Sequence, residues 1–435
     1  MNNNYKAINV GIIGGGYMGK AHAVAARAAS ANAELGVDIR LEGVAASCLE
    51  SAQNYQTKFG FRHAFKSAEA LLQDNNIDAI IIASPQHTHL RFVELAAASG
   101  KAILCEKPMG RNLAEAKKIF EIGAHVPNMV GYNYIQTPAT ALAREVISAG
   151  DIGEVIWYRG EHHEDFLVNA TGNEWRQTGD SNGTLGDLMP HPIHCALTFA
   201  GPITELVADL RKHPNVRQEK LLPQANDDHA QCMCKFANGA NGFIVASRVA
   251  HGKKMGLCYE IHGTKGAIQF DQEDQNSLYL YRAGKDFGFQ RILAGPGHGN
   301  YAMFCQGPGH GTGYQDQIII EQVAFYKSIL GIQPAWPSFS DGLAVEAGED
   351  HGGRGPSVCA CVVVMSGMLV PFVRHIWGSR KRAREKIREM EQPAEGGEAG
   401  ATQGDGALLG VHAAVGAHGG EAAEQRAVAE APDLH

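Results

Sequence analysis

Residues 7–19 read AINVGIIGGGYMG, and this stretch decides the fold. Ala7 to Ile13 form a short apolar run, rich in β-branched side chains, that stops abruptly in glycines, the pattern of a buried strand. A helical pattern follows from Tyr17 to about Ala29. Between them stands a GxGxxG turn in which each glycine has a task. Gly14 permits the tight turn, Gly16 lets the backbone approach a pyrophosphate, and Gly19 lets helix and strand pack closely. The helix start then offers free N–H groups and partial positive charge to phosphates. A glycine turn with no ligand is the plain alternative, and the strand–turn–helix setting weighs against it.

Outward from this unit the alternation continues. Strand-like runs at 40–45, 79–83, 102–105 and 129–132 alternate with helical patterns at 50–59, 67–72, 88–99 and 113–122. Such alternation predicts right-handed crossovers and a doubly wound α/β domain with a parallel sheet, placed at residues 1–127. After a helix at 138–149 the rhythm changes. Extended runs at 155–161, 205–209, 230–236, 242–248, 259–262, 267–270 and 277–281 follow without regular helices between them, then a helix at 316–330. This predicts an α+β domain with a mostly antiparallel sheet over 128–347.

The chain has 435 residues, 44% of them hydrophobic and 19% charged, with a formal charge of −8. Two soluble domains are expected, and the lack of a long basic stripe argues against a nucleic-acid partner. Nine scattered cysteines show no CxxC spacing, so they read as small buried side chains in a reducing compartment. The N-terminus shows no basic n-region or cleavage site, which points to the cytoplasm. The apolar run Val358–Val373 is shorter than the ~20 residues of a spanning helix, so no membrane partner is expected.

Two further segments carry chemistry. The acidic residue that would bind a ribose belongs at the tip of the second strand, but the tip reads Gly43-Val44-Ala45-Ala46-Ser47. No carboxylate there repels a 2′-phosphate, Ser47 can donate to one, and no arginine clamps it. NAD(P) is therefore the expected cofactor, with NADP slightly favoured over NAD. Cys105-Glu106-Lys107-Pro108 ends a later strand of the same sheet, where ligands of open α/β sheets sit. The lysine is either beside the nicotinamide or a surface residue before a turn.

With these motifs in hand, the chain resembles the glucose–fructose oxidoreductase, inositol dehydrogenase and MocA (Gfo/Idh/MocA) family. The resemblance rests on GIIGGGYMGKAH at 11–22, ASPQHTH at 83–89, Gly100-Lys101, Glu106-Lys107-Pro108, Gly131-Tyr132-Asn133-Tyr134 with Pro138, and GTLGDLMPH at 183–191. It implies a Rossmann domain, an α+β domain whose open sheet often supports homodimers or homotetramers, and hydride transfer between nicotinamide and a hydroxyl or keto carbon of a sugar, inositol or related polyol. It implies Lys107, Asp187 and His191 as the catalytic set. His191 would be the general base, and Lys107 would stabilise the developing alkoxide and relay the proton. On a helix, Asp187 and His191 would share one face, and the carboxylate would raise the imidazole pKa. The residues placed at the cofactor are Gly14, Gly16, Tyr17, Met18, Gly19, Ser47, Ser84, Pro85, Gln86, His89, Glu106 and Lys107. Those placed at the substrate are Tyr134, His163, Trp175, Arg176, His194, His310 and Tyr314.

Some positions stay open. His194 stands where relatives commonly have Asp or Asn, and it is a second imidazole in the pocket or a solvated helix residue. Gln86 stands where Asn is frequent. His162 and His163 lie on a strand that in relatives approaches the substrate. The glycine-rich loop that carries His310 and Tyr314 selects substrate or merely links. No third ligand at recognisable spacing accompanies the histidines, so no metal is expected. An NAD-dependent glycoside hydrolase or lyase on the same scaffold, or a non-catalytic dinucleotide sensor, is the alternative function. From 348 to 435 the chain is Gly-, Ala- and Glu-rich, and the closing helix of relatives begins at DGLAVEA and then dissolves. A change of reading frame near Glu346–Glu349 is the expectation, with a lineage-specific extension as the alternative.

Overall fold

The computed structural model describes residues 7–168, 183–213 and 226–347. The low-complexity tail from 348, with its suspected change of frame, lies outside the described residues.

The first sheet is wholly parallel. Its strands are β1 (Ala7–Ile13), β2 (Asp38–Ala45), β3 (His63–Phe65), β4 (Ala79–Ile82), β5 (Ala102–Glu106) and β6 (Asn128–Gly131), in the order β3-β2-β1-β4-β5-β6. Helices α1 (Tyr17–Asn32), α2 (Leu49–Phe59), α3 (Ala68–Leu72), α4 (His89–Ala98) and α5 (Leu113–Gly123) fill the crossovers. Strand β4, AIII, is buried along its whole length because helices cover both faces of a doubly wound sheet. This is the Rossmann order, and it reverses between β1 and β4. The rule for open α/β sheets places a ligand site there, outside the carboxyl ends of the strands, where the glycine turn follows β1. The sheet extends to Gly131, past the boundary expected at 127.

The second sheet has eight strands: β7 (Val155–His163), β8 (Ile203–Arg211), β9 (His229–Phe236), β10 (Asn241–Ser247), β11 (Gly256–Gly263), β12 (Gly266–Asp271), β13 (Ser277–Arg282) and β14 (Gln290–Leu293). Their order is β14-β13-β12-β11-β7-β10-β9-β8. Only the β7–β10 pair is parallel; the other neighbours run antiparallel. Helices α6 (Pro138–Ser148) and α8 (Pro190–Ala200) pack on this sheet, with the single turn α7 (Thr184–Asp187) just before α8. Strands β3 and β14 had escaped the pattern reading. The first has three residues, and the second, QRIL at the sheet edge, keeps three of its four side chains exposed.

The last two helices among the described residues, α9 (Tyr314–Ile329) and α10 (Phe339–Ala347), return to the first domain. Helix α9 packs along α1. The small buried side chains of α1 (Ala21, Ala25, Ala26 and Ala29) share one core with Ile318, Ile319, Val323, Phe325 and Tyr326 of α9. Helix α10 lies on α5. There Phe339 is fully buried, and a Cβ at Gly123 would lie 2.6 Å from its ring. Truncating such a ring to alanine costs about 3–5 kcal/mol. Sequence order thus assigns 314–347 to the second domain, but packing assigns it to the first.

Candidate active site

The glycine turn is built for close approach. Gly14 has φ 132°, and a Cβ on it would stand 2.3 Å from the Ala83 carbonyl oxygen. A Cβ on Gly19 would stand 2.0 Å from the Gly14 oxygen. Gly16 differs, because its Cβ would meet no protein atom within 4 Å. Helix α1 starts at the next residue with no side-chain cap on its N–H groups. Open space over an uncapped helix N-terminus fits a dinucleotide pyrophosphate. Tyr17 is 67% exposed at this mouth, and Met18 Sδ accepts from the Tyr314 hydroxyl. At the tip of β2, Ser47 is exposed.

The loop after β4 completes this wall. Ser84 and Thr88 share a hydrogen bond of 2.6 Å, Pro85 is exposed, and Gln86 opens a short 3-10 turn. His89 corrects its expected role. It is 1% exposed, with Nε2 on the Ser84 carbonyl and Nδ1 on those of Pro108 and Met109. With both ring nitrogens engaged by backbone, His89 braces the β4 loop against the β5 loop.

Lys107 follows β5 at the same end of the sheet. Its Nζ donates to Asp187 Oδ1 at 3.0 Å and to the Asp187 carbonyl at 2.7 Å. The side chains of this pair are 18% and 14% exposed, so the ion pair is partly desolvated. His191 lies in the first turn of α8 and is 4% exposed. Its ring packs against Tyr134 at 4.5 Å, His162 at 5.4 Å and Tyr132 at 6.0 Å. The expectation that Asp187 would share a helix face with His191 and raise its pKa is not met. The chain breaks between α7 and α8, ahead of Pro190, and the Asp187 carboxylate turns to Lys107. Burial first, then the charges of Lys107, His162 and His194, push the His191 imidazole well below the ordinary histidine range.

The resemblance places His163 at the substrate, but His162 is the neighbour of His191. Neighbours on a strand point to opposite faces. His162 is 1% exposed and faces His191, with Nδ1 on the Leu188 carbonyl and Nε2 on Glu164 Oε1 at 3.1 Å. It thereby holds the joint between α7 and α8. His163 points the other way, where Glu161 lies at 3.8 Å. The signal was available in the strand alternation, but only once the buried face was known.

His194 is neither in the pocket nor in solvent. It is 3% exposed and stacked on Tyr132 at 4.5 Å, with Trp336 at 5.7 Å, behind the site. Burial lowers its pKa to about 4. His310 is exposed on its glycine loop. Tyr314, by contrast, is central. It stacks on Tyr17 at 6.2 Å and lies 6.0 Å from Tyr134, which touches His191. A row of rings therefore runs from the glycine turn to His191. Trp175 and Arg176 lie outside the described residues.

Comparison with known proteins agrees with this geometry. Residues 8–134 match "Oxidoreductase family, NAD-binding Rossmann fold", and residues 140–269 match "GFO/IDH/MocA C-terminal domain". The chain belongs to the Gfo/Idh/MocA family of NAD-binding oxidoreductases. It is 32% identical to levoglucosan dehydrogenase of Pseudarthrobacter phenanthrenivorans over 79% of this chain and 94% of that one. It is 27% identical to inositol 2-dehydrogenase of Rhizobium meliloti over 78% and 94%. A solved levoglucosan dehydrogenase in complex with NADH and levoglucosan superposes with a TM-score of 0.75 at 33% identity, covering 78% of this chain and 94% of that one. An NAD-binding oxidoreductase from Klebsiella pneumoniae gives 0.73 at 34%, with the same coverage.

Proposed function

We propose that the protein is an NAD(P)-dependent dehydrogenase that oxidises one secondary hydroxyl of a cyclic sugar or polyol to the ketone, and reduces it in reverse. The carrying observation is the convergence of the Lys107 ammonium, pinned by Asp187, with a buried imidazole whose charged form is disfavoured. The nicotinamide, when bound, supplies the hydride acceptor. The chain's own residues handle the proton. Neutral His191 accepts it from the substrate hydroxyl as the carbon gives up its hydride. Lys107 donates a hydrogen bond to the oxygen on which negative charge develops, in a partly desolvated setting that strengthens the interaction. Asp187 holds that ammonium in place, and the Tyr134 ring shields His191.

Glu106 and the Gly14–Gly19 turn would hold the dinucleotide. The tip of β2, with Ser47 and no carboxylate, supports binding of NADPH at least as well as NADH, although the solved relative carries NADH. The named relatives act on levoglucosan and inositol, which supports a ring with several hydroxyls as substrate. The second sheet exposes Val207 and Met233, cross-strand partners on one face, and this supports self-association. The test is a turnover screen of anhydrosugars, aldoses and inositols with both cofactors, followed by dissociation constants for NADH and NADPH. Reduced cofactor appearing with at least one cyclic polyol is the expected result. Failure of both dinucleotides to bind would overturn the reading. NADPH binding weaker than NADH by ~100-fold would overturn the cofactor preference alone.

A further inference from the structure

Behind Glu106 a hydrogen-bonded chain runs into the protein, and the reaction as described makes no use of it. Glu106 Oε1 meets His22 Nε2 at 2.9 Å, and Oε2 accepts from the Lys107 N–H at 3.3 Å. His22 is fully buried in α1. On its far side, Gln322 of α9 places its amide nitrogen 2.9 Å from the His22 carbonyl oxygen and 3.0 Å from His22 Nδ1. The Tyr326 hydroxyl donates to Gln322 Oε1 at 2.7 Å.

Donor and acceptor bookkeeping along this chain leaves one solution. A carbonyl oxygen only accepts, so the Gln322 group facing the His22 carbonyl is the NH2. The same NH2 faces Nδ1, which must then accept, and the ring hydrogen is assigned to Nε2, pointing at Glu106. Burial pushes the Tyr326 phenol up, so it keeps the proton it donates to Gln322. One residue away, both carboxyl oxygens of Glu321 are buried with no hydrogen-bond partner among the described residues. Burial, then Glu106, pushes that carboxyl well above its ordinary range, so Glu321 brings no second negative charge beside Glu106.

We infer that Gln322 and Tyr326 are positioning residues for the cofactor: they fix the His22 tautomer, which locks the Glu106 carboxylate as an acceptor facing the nicotinamide ribose. The inference rests on the proposed dinucleotide site. It explains why a helix from the far end of the chain packs on α1, because the residues that aim Glu106 come from α9. With Nε2–H on Glu106 Oε1 and Lys107 N–H on Oε2, the carboxylate is held from two sides. Loss of the Gln322 amide frees His22 to put its hydrogen on Nδ1, and Nε2 would then confront Glu106 lone pair to lone pair.

The test has two arms on the full-length protein. In the first, nitrogen NMR of the 15N-histidine-labelled protein reads the His22 tautomer, with the H22Q variant identifying its signals. The expected result is hydrogen on Nε2; hydrogen on Nδ1 in the unaltered protein overturns the inference whatever the variants do. In the second, Q322L and Y326F are titrated with NADH by fluorescence. Q322L is expected to weaken binding about tenfold and Y326F about threefold, the scale of one ordinary net hydrogen bond. The KM for the polyol at saturating cofactor is expected to stay unchanged. A folded Q322L that binds NADH as the wild type does also overturns the inference. If the unaltered protein binds neither NADH nor NADPH, it is the dinucleotide reading that fails, and the two failures are told apart; if it binds only NADPH, the same titrations are run with NADPH.

Discussion

His22 and His191 are both buried, and their surroundings differ in kind. His22, at the back, is tied on both ring nitrogens by Glu106 and Gln322. His191, at the front, is packed by the rings of Tyr134, His162 and Tyr132 beside a lysine charge. Full hydrogen bonding fixes a tautomer and a direction. Burial among aromatic faces near a cation instead disfavours the charged form and leaves a base ready to take a proton. Burial alone therefore says little about a histidine's work; the partners of its two nitrogens decide it.

The largest effect expected at the front is that of Lys107→Met. It removes the donor aimed at the developing alkoxide, and kcat/KM is expected to fall by about 10³-fold. NADH affinity is expected to stay within about threefold, because the back wall is untouched. A loss below about tenfold would break the assignment. His191→Asn comes next, with an expected loss of about 10²–10³ in kcat/KM for oxidation. Its companion is a pH profile. Because the His191 pKa lies well below 6.5, the neutral base persists through that pH, and the acid limb of kcat/KM is expected well below it. An inflection at about 6.5 would contradict the packing described here.

At the glycine turn, Gly16→Val and Gly19→Ala separate binding from folding. A Cβ at 16 meets no protein atom within 4 Å, so Gly16→Val is expected to weaken NADH about tenfold or more while stability falls by no more than about 1 kcal/mol, the scale of a poorer N-cap. At 19 the new Cβ strikes backbone, and loss of stability comes first, about 2 kcal/mol or more. Equal melting of the two variants would remove the distinction.

The smallest effect on turnover is that of His194→Phe, with kcat/KM expected within about threefold because the ring lies behind Tyr132. Its signature is in stability. The folded pKa of about 4 lies below the unfolded value near 6.5, so the unfolded chain binds the proton first as pH falls. Stability attached to this group is therefore present above pH 6.5 and is lost on the way to about 4, by about 2–3 kcal/mol. The phenylalanine variant is expected to lack that loss, read as melting temperature against pH. A tenfold fall in kcat/KM would return His194 to the substrate pocket.

Much of the molecule was legible in advance, and the particular misses are informative. The first sheet was readable because its strands are short apolar runs bounded by glycine and its helices repeat at 3.6 residues. Lys107, Asp187 and His191 stood in ordered motifs, but their mutual geometry did not follow from spacing. Four residues implied a shared helix face, whereas the break before Pro190 sent Asp187 to Lys107. The sequence does not say which face of β7 is covered, so it does not decide between His162 and His163. His89 was placed at the cofactor by its motif, but three backbone carbonyls claimed its ring.

What the sequence determined by itself is local: the strand–turn–helix unit at Gly14–Gly19, the parallel and antiparallel regimes, and the residue types that carry proton transfer. These follow from backbone sterics and side-chain periodicity within a few residues of each other. Only the tertiary structure decided that α9 and α10 rejoin the first domain, that His191 is held neutral, and that Gln322 and Tyr326 stand behind Glu106. Those outcomes depend on desolvation and on hydrogen-bond partners about 300 residues apart in the chain. Such partners exist only once the core has closed around them.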